Sequence, residues 1–256
     1  MALLGAGIVP HAPLLVHGLA PDSSRAARRV LERAASSGAP IVLVSPHGER
    51  PLVYAEARGS LDGFGMKGHA VEQPGDRSLA DRLAATLSDG DAGASEEEAD
   101  HGVVVPLLLA EGALNGANVI AASLPECTGP GSSSVAEALA AADRLRSGLE
   151  ALAASRDLFL LASAHTSAAL SARAPQQERP EGLALDRAVL AALDEDPERL
   201  AHLDPAAWDQ AGACGAGPLA LFGGVSGGRA VEVESYDAPY GVGYLCASWS
   251  APGGAP

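Results

Sequence analysis

The sequence is short of aromatic residues: Phe, Trp and Tyr together make up 4% of it. A core for 256 residues must therefore be built from Ala, Val, Leu and Ile, and a hydrophobic content of 47% supplies them. A chain of this length is ample for one large α/β core. There is no CxxC pair, and the three cysteines, Cys127, Cys214 and Cys246, are widely spaced and odd in number. That excludes a disulfide framework and fits a reducing, cytoplasmic setting. No apolar run approaches the ~20 residues that cross a bilayer. The opening segment is apolar but lacks a basic leader region and is interrupted by Pro10, His11 and Pro13. It reads as a first strand and loop, not as a signal peptide. Positive charge is scarce: 17 Lys and Arg face 32 Asp and Glu, for a net charge of −15. Such a surface repels phosphate backbones and anionic membranes, which argues against nucleic-acid and membrane roles. Two catalytic signatures are also missing, the G-x-S-x-G nucleophile elbow and the phosphate-binding P-loop. Gly5-Ala6-Gly7 runs into Ile8, Val9 and Pro10, so no third glycine opens a helix and no dinucleotide fingerprint forms.

What is present is an alternation of short apolar runs and helical patterns. The spacing predicts strands at Leu3–Val9, Ile41–Ser45, Leu52–Ala57, Asn118–Leu124, Leu158–Ser163, Ala230–Tyr236 and Gly243–Trp249. Ile41–Val44 and Leu158–Leu161 are apolar on both faces, as central strands covered on both sides are. Val231–Ser235 alternates apolar and polar residues, which suits a strand nearer an edge. Helical spacing covers Ser23–Ser36, with Asp22 and Ser23 as cap candidates, then Ser78–Leu87, Val135–Leu152, Gly182–Asp194 and Pro218–Gly223. The expected fold is an α/β three-layer sandwich, a central mixed and largely parallel sheet flanked by helices. Gly90–Ala99 and Gly129–Ser134 read as solvated loops inside a single domain over residues 1–256, with a frayed tail at Ala251–Pro256.

Two histidines occur in matching contexts. His11 follows the strand Leu3–Val9 as Val9-Pro10-His11-Ala12-Pro13, and His47 follows Ile41–Ser45 as Ser45-Pro46-His47-Gly48. Ligands of parallel sheets gather outside the carboxyl ends of the strands, so these imidazoles can converge on one metal site. His101, in Asp100-His101-Gly102, and His165, just past Leu158–Ser163, are candidates for a general base or for a donor to substrate. Two sorts of residue can complete the set: Cys214, in a Gly-rich helix start, or a carboxylate of Glu232 or Glu234. His17, His69 and His202 have no such context and read as surface residues.

Four pieces in order resemble a known group: Gly7 to Leu15 around His11, Val44 to Gly48 around His47, Asp100 to Leu107, and the closing Tyr236 to Leu245. They are similar to the class III extradiol dioxygenase catalytic-subunit (LigB-like) superfamily, which includes the Memo-like proteins, over about residues 3 to 249. The resemblance implies a non-haem metal site, Fe(II) in the dioxygenases with Zn or Cu as alternatives, on His11 and His47, with His101 lining the site. It implies a small catechol-type aromatic substrate and O2, or else a Memo-like metal protein with no ring cleavage. A non-catalytic subunit, in a homo-oligomer or beside a partner subunit, is the third possibility. Cys214 stands where the ring-cleaving enzymes carry a glutamate and where Memo-like proteins carry a cysteine. The family's catalytic histidine position holds Ala168 here, and His165 takes the place of an aspartate.

Overall fold

A computed structural model describes residues 2–87, 93–129, 131–175 and 177–251. The elements run, in chain order, β1 (Leu3–Val9), α1 (Pro21–Ser36), β2 (Ile41–Gly48), β3 (Leu52–Val53), β4 (Ala57–Ser60), β5 (Ala70–Gln73), α2 (Arg77–Leu87), α3 (His101–Leu109), β6 (Val119–Pro125), α4 (Val135–Ala153), β7 (Leu158–Ser163), α5 (Pro180–Glu195), α6 (Pro205–Gln210), α7 (Ala216–Ser226), β8 (Glu232–Asp237) and β9 (Tyr244–Ser250). Seven strands form one sheet in the order β3-β6-β2-β7-β1-β9-β8, and β4 pairs with β5 in a separate hairpin. The four central strands β6, β2, β7 and β1 are parallel, and β3 and β9 close them with antiparallel pairing. The sheet is therefore mixed and mostly parallel, with helices on both faces: a three-layer α/β sandwich.

The burial of the strands explains the order. Every residue of β7 and of β6 is buried, so neither can lie at an edge facing water. β8 is partly exposed along its length and takes the outer position. One face of the sheet packs Ile8, Val44 and Leu160 with the buried sides of α2, α4, α5 and α7, including Leu83, Leu145, Leu185 and Leu219. The other packs Val9, Leu43 and Leu161 with α1 and α3 through Val30, Leu31, Val103 and Val105. Trp208 is the largest fully buried side chain in the first of these layers.

Several expectations need correction. The run Leu52–Ala57 is broken: only Leu52 and Val53 pair with β6, and the chain turns away to start β4 at Ala57. Neither Asp22 nor Ser23 caps α1; Ala20 is its N-cap and Pro21 opens it, a position that suits proline because its missing N–H has no partner there anyway. The helix expected at Pro218–Gly223 already starts at Ala216 and runs to Ser226. Of the two loops, residues 90–92 and 130 lie outside the described residues, as do residues 252–256 of the tail. No helix among the described residues is long and apolar enough to cross a membrane.

Candidate metal centre

The carboxyl ends of the four parallel strands all point to one end of the sheet, and the chemistry-bearing side chains leave from there. His11 follows β1, His47 is the next-to-last residue of β2, Glu126 follows β6 and His165 follows β7. His101 is the first residue of α3, and Cys214 lies two residues before α7. These elements bring the expected residues together. The Nε2 atoms of His11 and His47 are 3.0 Å apart. Cys214 Sγ lies 3.7 Å from His11 Nε2 and 3.9 Å from His165 Nδ1. His11 is the shared corner of two sets whose donor atoms all lie within 4.8 Å of one another, His11–His47–His101 and His11–His165–Cys214.

Hydrogen bonds behind the rings decide which nitrogens face inward as lone pairs. The Nδ1 of His11 is 3.0 Å from Ser163 Oγ, and that hydroxyl donates to the carbonyl of Gly102 at 2.5 Å. A hydroxyl that has donated its one proton accepts at its lone pair, so His11 carries its proton on Nδ1 and presents a bare Nε2. The reason Gly102 O is free to accept lies four residues on, at Pro106, inside α3. Proline has no N–H for the usual i→i−4 bond, so the carbonyl of Gly102 is open to Ser163. His47 Nδ1 faces Glu126 Oε1 at 3.3 Å, and a carboxylate only accepts. His47 therefore also donates from Nδ1 and turns Nε2 inward. Carboxylates and carbonyl-linked hydroxyls behind metal-binding imidazoles act in this way.

Two bare Nε2 atoms 3.0 Å apart oppose acceptor to acceptor, and a cation has to lie between them. A proton can serve. So can a metal ion, which His11 and His47 would hold through Nε2, with the Cys214 thiolate, 3.7 Å from His11 Nε2, as a further donor. The sulfur is suited to that: burial pushes the Cys214 thiol up, but hydrogen bonds from His165 and His47 outweigh it and bring it down to about 5. Burial lowers His47, but its hydrogen bonds with Cys214 and Glu126 outweigh that and hold it at about 10. His11 is completely buried, and burial together with the neighbouring His165, His47 and His101 holds it well below the usual histidine range. The donor set of two imidazoles and a soft thiolate fits Zn, Cu(I) or iron.

His101 is positioned differently. Asp100 caps α3 by accepting from the Gly102 N–H at 2.7 Å and also accepts from Ser45 Oγ at 2.5 Å and from Ser123 Oγ, which in turn meets Tyr54 OH at 2.9 Å. One carboxylate thus ties α3 to β2 and β6. Gly102 has to be glycine, since a Cβ there would stand 2.2 Å from Ser45 Oγ. The His101 ring stacks on His47 with centroids 4.2 Å apart and meets Phe64 at 4.8 Å. Burial first, then the charge at His47, hold it down at about 4, so it is neutral at pH 7.

The alternatives for the third ligand separate cleanly. Glu234 is paired with Arg29 at 3.0 Å and Arg33 at 2.9 Å on α1, and Glu232 with Arg33 at 3.3 Å. Both sit on the edge strand β8, away from the histidines. His17 and His202 are exposed, as expected, whereas His69 is half-buried, its ring 5.4 Å from that of His17. Sequence reading passed over Glu126, Ser163, Asp100 and Pro106. Glu126 carried a usable signal, because it too stands just past a strand end.

A cavity of about 540 Å³ opens over the cluster, walled by the four histidines and Cys214 with Leu14, Val242, Tyr240 and Tyr244. That is the size and mixed polarity of a small-molecule site.

The chain has the fold of a bacterial protein. That protein is the one described as "uncharacterized protein JW3007 from Escherichia coli K12", whose crystal structure aligns with a TM-score of 0.64 at 16% identity, over 96% of this chain and 99% of that one. At that identity the likeness concerns the fold alone. No family model and no curated protein sequence matches the chain.

Proposed function

We propose that the chain is a mononuclear metal protein that holds its ion on His11 Nε2, His47 Nε2 and Cys214 Sγ, and that it works as an extradiol-dioxygenase-like oxidoreductase on a small catechol-type ring with O2. The observation that supports the reading is the pair of Nε2 atoms 3.0 Å apart, which need a proton or a metal ion between them, with both outer nitrogens facing acceptors. Bound there, Fe(II) would supply Lewis acidity and one-electron chemistry at open positions. The chain's own residues do the rest. Tyr244, Val242 and Leu14 give the ring an apolar wall and exclude water from it. His101 is neutral, and its ring nitrogens have no hydrogen-bond partner among the described residues, so one accepts from a ring hydroxyl while the other can donate. Three free cysteines support a cytoplasmic location.

One atom favours a second reading. Cys214 Sγ replaces the carboxylate of the ring-cleaving enzymes, and a thiolate suits a Memo-like centre for iron, copper or zinc that leaves aromatic rings intact. Metal analysis of anaerobically purified protein tests both, followed by O2 uptake on a catechol panel after Fe(II) loading. About one metal per chain with ring-opened product supports the first reading. Firmly bound metal without turnover supports the second. No metal, even after Fe(II), Zn and Cu(I) are offered, rejects both and points to a non-catalytic subunit.

A further inference from the structure

His165 is the imidazole whose position the proposed reaction leaves unexplained, since its two nitrogens already have partners. The backbone N–H of His11 donates to His165 Nε2 at 3.3 Å. That contact takes up the Nε2 lone pair, and a neutral imidazole with an accepting Nε2 carries its proton on Nδ1. Nδ1 faces Cys214 Sγ at 3.9 Å. We infer that His165 is a positioning residue for the third ligand: it donates a hydrogen bond from Nδ1 to the Cys214 thiolate, fixing the sulfur and withdrawing charge from it.

Three backbone constraints hold the ring to that task. The Ala164 N–H bonds to Val9 O at 2.9 Å, which pins the end of β7 to the end of β1, two residues before His11. The Thr166 N–H bonds to Gly243 O at 3.2 Å, which pins the other side of His165 to the start of β9. Gly215, next to Cys214, lies so close to the carbonyl of His165 that a Cβ would stand 2.2 Å from it. The thiolate and its donor are therefore locked in register by the main chain, not by side-chain packing alone. The same arrangement separates the two candidate bases: His101 has free nitrogens in the cavity, and His165 has none to offer a substrate while both of its bonds stand. An amide or imidazole donor to a ligating sulfur lowers the sulfur's electron donation, which is how outer groups tune such centres.

The tautomer can be read without any metal. Two-bond 1H–15N correlation of the histidine rings in the metal-free, full-length chain is expected to show His165 protonated at Nδ1 and bare at Nε2. A proton on Nε2 overturns the inference, whatever the protein binds. A second readout rests on the proposed metal centre. In Co(II)-loaded protein, the sulfur-to-cobalt charge-transfer band is expected to move to lower energy in His165→Leu and to stay in place in His165→Asn, whose amide nitrogen stands where Nδ1 was. A band unmoved in His165→Leu, or moved equally in both variants, overturns the inference. Wild-type protein with no sulfur band but with the Nδ1 proton in place would remove Cys214 from the metal site while upholding its bond to His165.

Discussion

Ser163 has one hydroxyl proton, and Gly102 O takes it; every consequence for His11 follows from that single direction. In Ser163→Ala, His11 Nδ1 loses its acceptor and the ring is free to adopt the other tautomer, with its proton on Nε2 facing the ion. Metal affinity is expected to fall about 10–100-fold, the usual effect of removing such a support, as measured by competition with a chromophoric chelator. Pro106→Ala should act in the same direction and more weakly, because a restored N–H competes with Ser163 for the Gly102 carbonyl. Cys214→Ala removes a ligand outright, so bound metal should drop from about one per chain to near none by elemental analysis. Retained stoichiometry in that variant would falsify the His-His-Cys set. At this scale the ligands were legible and their supports were not. His11 stands just past a strand and His47 at the end of one, each with a proline before it, and Cys214 stands in a glycine-rich helix start. A hydroxyl such as Ser163 looks like any other buried serine until the strand register puts it opposite α3.

Asp100 and Asp186 show the same gap between sequence and structure for whole elements. The stretch Val103–Val105 has the β-branched run of a strand, yet it lies in α3, a helix buried nearly all round. Two things decide in favour of the helix: the Asp100 cap and the α1 and β2 surfaces that its side chains meet. Neither can be read from periodicity, because a helix apolar on every side has none. Asp100→Ala removes that cap and leaves the hydroxyls of Ser45 and Ser123 without their acceptor. A loss of about 2–4 kcal/mol is expected in urea unfolding. Asp186, on α5, is 1% exposed and bonded to Tyr236 OH on β8. Burial raises its carboxyl to about 6, against the lowering by Tyr236 and Thr166. The folded state thus holds this proton more tightly than the unfolded chain. The stabilisation from holding it is complete below about pH 4 and is lost as the pH rises through about 6, ~3 kcal/mol in all. Asp186→Asn cannot ionise. Its stability relative to wild type should therefore rise by about 3 kcal/mol between pH 4 and pH 7, and a difference that stays flat with pH would show that Asp186 titrates normally.

Across the whole molecule, the alternation of strand and helix patterns was enough to give the three-layer sandwich, because the runs Ile41–Val44 and Leu158–Leu161, apolar on both faces, suit central strands and the mixed pattern of β8 suits a peripheral one. Where the run Leu52–Ala57 breaks depends on how far β6 extends beside it, and no local pattern carries that. The same long-range order gives the metal a mechanical role. In the sheet, β2 and β1 lie on either side of β7, and α7 packs on the face beneath them. An ion on His11, His47 and Cys214 would tie the ends of β1 and β2 to the start of α7, three segments that separate only when the domain unfolds. Binding to the folded chain alone stabilises it by about 2.7 kcal/mol at a free metal concentration 100 times the Kd. For a chain of this length that corresponds to a rise in melting temperature of about 5–10 °C. Thermal melts across a Zn series should show this rise in wild type and lose it in both His47→Ala and Cys214→Ala. Because those ligands leave from different elements, a loss in one variant alone would mean that the ion is held at one side of the cleft and that the sheet and α7 are not joined through it.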